Sequence, residues 1–352
     1  MRKQLLWGLC LMLLFGCNPL PAQEAPQIIE ILPTAPQLAT PNRKPLPGLP
    51  SDRLNPLASD QAIALANWQI KIRSVLRGDQ AAQLVRETNQ FNDPAQTGYQ
   101  YLIVEFSIKP NTSLQNAQHP LIRLTGDYLK LYSQTSVVLP MPYYSDMLFT
   151  SETLAQVAFH IPADETNLVL VLSDDYNEQP VFVAIDPQAS IQPDPNVYLV
   201  PRNTLGIQSS EPALLGETIV TNDWELTVLE YVRGDRAWQM LQQANMYNEP
   251  AAPNAEYILF KLRVRSLDHH DLDTPNITTI LSFAVLGQSQ TELKQPSLVL
   301  PDPKLNESLY AGGQTEGWRA YMIPKDEQNL QIIFNSNIFS ISNADTRYIA
   351  LE

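Results

Sequence analysis

"NWQIKIRSVLRGDQAAQLVRETNQ" (residues 67–90) and "DWELTVLEYVRGDRAWQMLQQANM" (residues 223–246) follow one pattern twice in the same chain. Each opens with alternation: Trp68, Ile70, Ile72 and Leu76, and again Trp224, Leu226, Val228 and Val232, fall on one face of an extended strand. After the shared Arg-Gly-Asp the period changes. Ala81, Leu84, Val85 and Thr88 stand at helical spacing, as do Ala237, Met240, Leu241 and Ala244. Glycine at 78 and 234 suits the corner, because positive φ costs it little. Asp79 and Asp235 are expected to cap the helices by accepting first-turn N–H groups. Asn89 and Asn245 are expected to end them in the left-handed conformation. Arg-Gly-Asp is also an adhesion tripeptide, but that role needs an exposed, flexible loop tip. Recurrence at one strand-to-helix corner is what a structural role predicts.

The repeat extends well beyond this stretch. Residues 56–108 align on 212–264 without a gap, with identities that include Pro56/Pro212, Asn92/Asn248, Pro94/Pro250 and Tyr101/Tyr257. It resumes with "HIPADETNLVLV" (160–171) against "MIPKDEQNLQII" (322–333), and closes with 181–185 against 347–351. Insertions between matched elements are what surface loops tolerate. The chain therefore reads as two copies of one domain, 56–187 and 211–352, joined by a linker at 188–210. Further short strands fit 101–108, 128–132, 154–161, 167–172 and 181–185, with counterparts in the second copy. The expected fold is mainly β: two tandem immunoglobulin-like sandwiches, each carrying one short helix.

At the N-terminus, "MRK" precedes an apolar run from Leu5 to Phe15 and then "LFGC", the order of a signal peptide over residues 1–16. "LFGC" resembles a lipoprotein cleavage site, with Leu14 three before the cysteine and Gly16 directly before it. Cys17 would then carry the lipid and hold the chain to a membrane, outside the cytoplasm. Cys10 would leave with the signal, so no disulfide is expected. Residues 17–55 hold Pro19, Pro21, Pro26, Pro33, Pro36, Pro41, Pro45, Pro47 and Pro50 and read as a tether. Extended, it would reach on the order of 100 Å; as a coil it would average roughly 35 Å. The formal net charge of −14 argues against a nucleic-acid partner.

"DWELTVLEYVRGDRAWQMLQQANMYNEP", "EYILFKLRVRS" and "LYAGGQTEGWRAYMIPKDEQNLQIIF" resemble the telokin-like, immunoglobulin-like domain of unknown function found in bacterial lipoproteins. The resemblance covers both copies and is stronger in the second. The first copy has "LFTSETLAQVAFHIP" where the second has Gly312, Gly313, Gly317 and Trp318. The family implies an extracytoplasmic sandwich with a binding or interaction role. It supplies no catalytic residues.

Candidate chemistry is sparse. "DHHDLD" (268–273) is the densest group of possible metal ligands. His269 and His270 point apart in an extended segment, which leaves Asp268, Asp271 and Asp273 as calcium candidates beside the plainer reading of a solvated loop. "SDDY" (173–176) pairs two carboxylates at a strand end, and His119 and His160 have no nucleophile motif beside them. Trp238 alone among the aromatics lies off its helix's apolar stripe, so it is the candidate ligand contact. No cofactor is expected. The expectation is a non-enzymatic binding protein whose ligand is an unidentified protein or glycan. Alternatives are an envelope enzyme or carbohydrate accessory with a cleft between the copies, and a structural spacer.

Overall fold

The alternation in both repeats builds a long strand, but a bulge divides it. The computed structural model describes residues 51–111, 119–140, 151–175, 178–268, 271–289, 292–293, 295–336 and 346–352. The signal, Cys17 and the tether up to residue 50 lie outside the described residues, as do His269, His270 and Tyr176.

The first copy contains β1 (Leu57–Ala58), β2 (Ile63–Ala64), β3 (Trp68–Arg77), α1 (Asp79–Thr88), β4 (Tyr99–Pro110), β5 (Leu121–Thr125), β6 (Lys130–Leu131), β7 (Thr153–Pro162), β8 (Val169–Ser173) and β9 (Val181–Ala184). Its two sheets run β2-β3-β4-β7 and β1-β9-β8-β5. The second copy contains β10 (Thr218–Val220), β11 (Trp224–Arg233), α2 (Asp235–Ala244), β12 (Ala255–Ser266), β13 (Asn276–Ile277), β14 (Ser282–Leu286), β15 (Ser308–Leu309), β16 (Gln314–Pro324), β17 (Gln331–Asn335) and β18 (Arg347–Ala350). Its sheets run β10-β11-β12-β16 and β14-β17-β18. The fold is thus mainly β, two sandwiches with one short helix each. Strand β5 falls in a stretch where the sequence pattern predicts none.

Both long strands carry a register shift at the same place, Ile72/Ser74 against β4 and Val228/Glu230 against β12. An extra residue on one strand reverses the phase of everything after it. Trp68, Ile70 and Ile72 therefore face the inter-sheet core, together with Phe106, Phe159 and Leu170. Beyond the bulge Val75 turns to that core and Leu76 turns to the helix side, beside Ala81, Val85 and Tyr101. The second copy does the same, with Tyr231 toward the core and Val232 under α2. Leu76 and Val232 are thus corrected: they lie opposite the face that simple alternation assigns.

The two sandwiches touch. β6 of the first pairs with β15 of the second, Leu131↔Ser308 and Lys130↔Leu309, and β13 extends this small sheet. Tyr310 is buried among Leu129, Leu131, Val171 and Phe182 of the first copy. Gly312 and Gly313 make that approach possible: a Cβ at 313 would stand 2.5 Å from the Leu129 carbonyl oxygen. The Gly-Gly present only in the second copy therefore serves the joint between the copies. The stretch 188–210 packs as well, with Ala189 and Ile191 buried against the first sandwich and Val197 beside Leu267 and Ala311. Ser51–Asn55, which from sequence reads as the end of the tether, belongs to the folded part: Arg53 is 2% exposed, and the Phe182 N–H donates to Ser51 Oγ at 3.0 Å.

Candidate functional site

The Arg-Gly-Asp corners set where each helix begins. Gly78 has φ 62 and ψ −134, and Gly234 has φ 66 and ψ −134. That region is closed to residues with a Cβ, so both glycines are required by backbone geometry. They also occupy the N-cap positions. Asp79 and Asp235 stand one residue inside the helix, and neither helix start has a side-chain cap hydrogen bond. The expected caps are corrected for this reason: the sharp turn uses the cap position for its glycine, and aspartate is left to act on the helix dipole through space. The helix ends are also not left-handed, since Asn89 and Asn245 are extended, with φ −151 and φ −157.

Those asparagines organise the next loop instead. Asn89 Oδ1 accepts the Phe91 N–H at 3.0 Å, and Asn245 Oδ1 accepts the Tyr247 N–H at 2.9 Å. Three residues further on, the Asn92 amide donates to the Val85 carbonyl (2.7 Å) and the Val138 carbonyl (2.8 Å), and accepts the Val138 N–H (2.8 Å). Asn248 repeats this with Leu241 and Val299 at 2.7, 2.8 and 2.9 Å. A side-chain amide carries one acceptor and two donors, so here it pairs with a neighbouring segment as a peptide group would. The Tyr101 hydroxyl donates to the Asp93 carbonyl (2.9 Å) and the Tyr257 hydroxyl to the Glu249 carbonyl (3.0 Å). The identical residues Asn89/Asn245, Asn92/Asn248 and Tyr101/Tyr257 all serve to hold this loop.

What the loop displays differs. Phe91 is 83% exposed in the first copy; Met246 and Tyr247 are 77% and 83% exposed in the second. Large apolar side chains on a tip fixed by its own hydrogen bonds are costly in water and need little ordering when they meet a partner. Sequence patterning does not mark them. The available signal is an aromatic held between two asparagines in each copy, but periodicity has no means of flagging a residue that packs against nothing.

Trp238, the aromatic singled out from sequence, is half-buried. Its ring lies beside Tyr257 at 6.1 Å and 27°, and it lines a cleft of about 180 Å³ with Pro250, Ala251, Pro253, Glu256 and Lys325. The matching position in the first copy is Ala82, and there His160 supplies the ring, stacked on Tyr99 at 4.9 Å. His160 Nε2 accepts the Gln96 N–H at 3.3 Å, and burial lowers its pKa.

The other candidates resolve into structure. Asp273 is buried and pairs with Arg53 at 3.1 Å, so its carboxylate is turned to a cation of the protein itself. Asp271 accepts the Asp273 N–H and the Thr274 hydroxyl, which folds the loop on itself. Among the described residues no group of three or more His, Cys, Asp or Glu could hold a metal ion, and Asp268, Asp271 and Asp273 do not come together as one. Asp174 of "SDDY" is buried, which raises its pKa, and accepts the Asn67 N–H at 2.8 Å. Glu165 and Glu327, both buried and matched between copies, brace a loop: Glu165 accepts the Tyr128 N–H at 2.8 Å and Glu327 the Ser289 N–H at 2.9 Å.

No family model matches the chain, and no curated protein matches it. Solved structures match in part. The ycdA protein of Bacillus subtilis, described only provisionally as a lipoprotein, is 9% identical with a TM-score of 0.30, over 38% of this chain and 38% of that one. The yjhA protein of Bacillus subtilis is 12% identical with a TM-score of 0.28, over 40% of this chain and 99% of that one. An uncharacterised β-sandwich protein of Clostridium difficile is 13% identical with a TM-score of 0.25, over 37% of this chain and 95% of that one.

Proposed function

We propose that the protein is a lipid-anchored, extracytoplasmic binding protein of the telokin-like kind, without catalysis of its own, whose two sandwiches present the loop tips at Phe91 and Met246–Tyr247 to a partner. The observation that carries this reading is the pair of tips, each held by the same asparagine contacts and each exposing an aromatic side chain at 83%. Rigid aromatic anchors supply contact area at small conformational cost, which is why they dominate binding energies. Cys17 would hold the chain to the membrane, and the proline-rich segment would set the distance. No helix among the described residues is long and apolar enough to cross a membrane.

The test is a photo-crosslinking amino acid placed at 91 or 247 in cells, with exposed Gln243 on the outer face of α2 as control. A discrete adduct from the tips and none from the control is the expected result. Equal labelling at all three positions would favour the spacer reading. Cys17→Ser should release the protein from membranes washed without detergent, and full retention would sink the anchor.

The alternative of a catalytic cleft between the copies meets an obstacle at the joint. Where β6 and β15 meet, the space is filled by Leu129, Leu131 and Tyr310.

A further inference from the structure

The joint between the sandwiches contains a buried ion pair whose two halves come from distant parts of the chain. Arg53 precedes the first strand, and Asp273 lies in the acidic loop of the second copy. Arg53 Nε donates to Asp273 Oδ1 at 3.1 Å, its backbone N–H reaches the same oxygen at 3.3 Å, and Nη2 donates to the Leu272 carbonyl. The guanidinium carbon sits 4.0 Å from the centre of the Tyr310 ring. Tyr310 in turn donates its N–H to the Leu129 carbonyl of the first sandwich at 2.8 Å.

The segment around Arg53 is tied down on its other side. Its carbonyl accepts the Ile191 N–H of the connecting stretch at 2.9 Å, and the Leu54 carbonyl accepts the Ser190 hydroxyl at 2.7 Å. A run of five residues thus touches the first sandwich, the connection and the second sandwich.

We propose that Ser51–Asn55 is a strap that fixes the two sandwiches in one arrangement, and that the Arg53–Asp273 pair is its latch. A two-residue strand pairing such as β6–β15 is too short to set an orientation alone. A buried ion pair adds what short pairing lacks. The pair forms only where the second copy brings Asp273 to the strap, so a slip of the joint separates a buried cation from the carboxylate it faces or opens the joint to water. Nη1 of Arg53 has no hydrogen-bond partner among the described residues, so the pair is not built for the greatest stability. Its use lies in specifying one geometry. Ser51 directly follows the proline-rich run in sequence, so the latch sits where the anchor would enter the fold.

The test uses the full chain, with spin labels on exposed Gln83 of α1 and exposed Gln242 of α2, and reads the distance distribution between them. The wild type should give one narrow distance. Arg53→Ala should broaden it, with the open population rising roughly 100-fold or more, as expected when one partner of a buried pair is removed. An unchanged narrow distribution would overturn the proposal. Should Arg53→Ala lose the β-sheet circular dichroism of the wild type, Asp273→Asn decides, because it leaves the strap sequence intact. A broadened distribution in that second variant supports the latch, and a narrow one at the wild-type distance rejects it.

Discussion

The two corners share Arg-Gly-Asp and the same backbone angles, yet they are wired differently. Arg77 pairs with Asp186 at 3.0 Å and stays largely in solvent. Arg233 donates to Glu256 at 2.7 Å, to Glu352 at 2.5 Å, and to the Lys325 and Glu327 carbonyls at 3.2 and 2.8 Å. Burial pulls the Arg233 pKa down, but these carboxylates more than offset it and the net shift is upward. One corner is a simple turn; the other gathers a strand end, a hairpin and residue 352. Identical residues at matched positions therefore need not carry equal energies. The backbone demand is common to both, whereas the side-chain network depends on what each copy brings alongside.

The largest effects are expected in the loops, where both copies should be destabilised. Asn92→Ala strands one N–H and two carbonyls that are partly buried and should cost about 2–3 kcal/mol in urea unfolding, whereas Asn248→Ala, whose contacts with Val299 are exposed to water, should cost about 1–2 kcal/mol. A large effect in one copy and none in the other would show that the matched contacts are not matched in energy. At the corners the copies should diverge. Arg233→Ala should cost about 2 kcal/mol, whereas Arg77→Ala, an exposed pair, should cost no more than about 0.5 kcal/mol.

Acid should separate the copies next. Burial holds the His160 pKa below its ordinary value, so the unfolded chain takes up its proton first as pH falls. The neutral ring's contribution is complete above the ordinary value near 6.5 and declines as pH drops from there toward the folded value. The matching residue is Met322, which does not titrate. Unfolding of wild type and His160→Met at pH 7.5 and 5.5 should show the wild type losing more stability on acidification. Equal losses would exclude His160 as the cause. The smallest effect belongs to the aspartates: as dipole partners and not caps, Asp79→Ala and Asp235→Ala should each cost at most about 0.5 kcal/mol. A loss of a full cap would restore the role that the geometry denies them.

Much of the fold was legible because it is local. Alternation in Trp68–Ile72, the helical stripe after Asp79 and the glycine at the corner each follow from a few neighbouring residues. The bulge was not legible, because its extra residue is Arg73 in one copy and Leu229 in the other, with no shared chemistry to mark it. The joint was hidden for another reason. Arg53 sits in a proline-rich run that looks like tether, and its partner lies 220 positions away. The acidic loop stands out as a metal candidate because sequence displays carboxylates without their cations. Of the candidate site, the framework of asparagines was visible as repeat identities, whereas the displayed side chains were the positions where the copies differ.

The Gly-Gly of the second copy has one more consequence. It forms a socket, and Leu129 of the first copy is the plug that fills it. The first copy has no Gly-Gly, so the socket belongs to the second copy alone. The first copy therefore carries the plug and no socket of its own. A further copy placed before the first would meet no socket there, so the joint has a direction that repetition of the first copy could not extend.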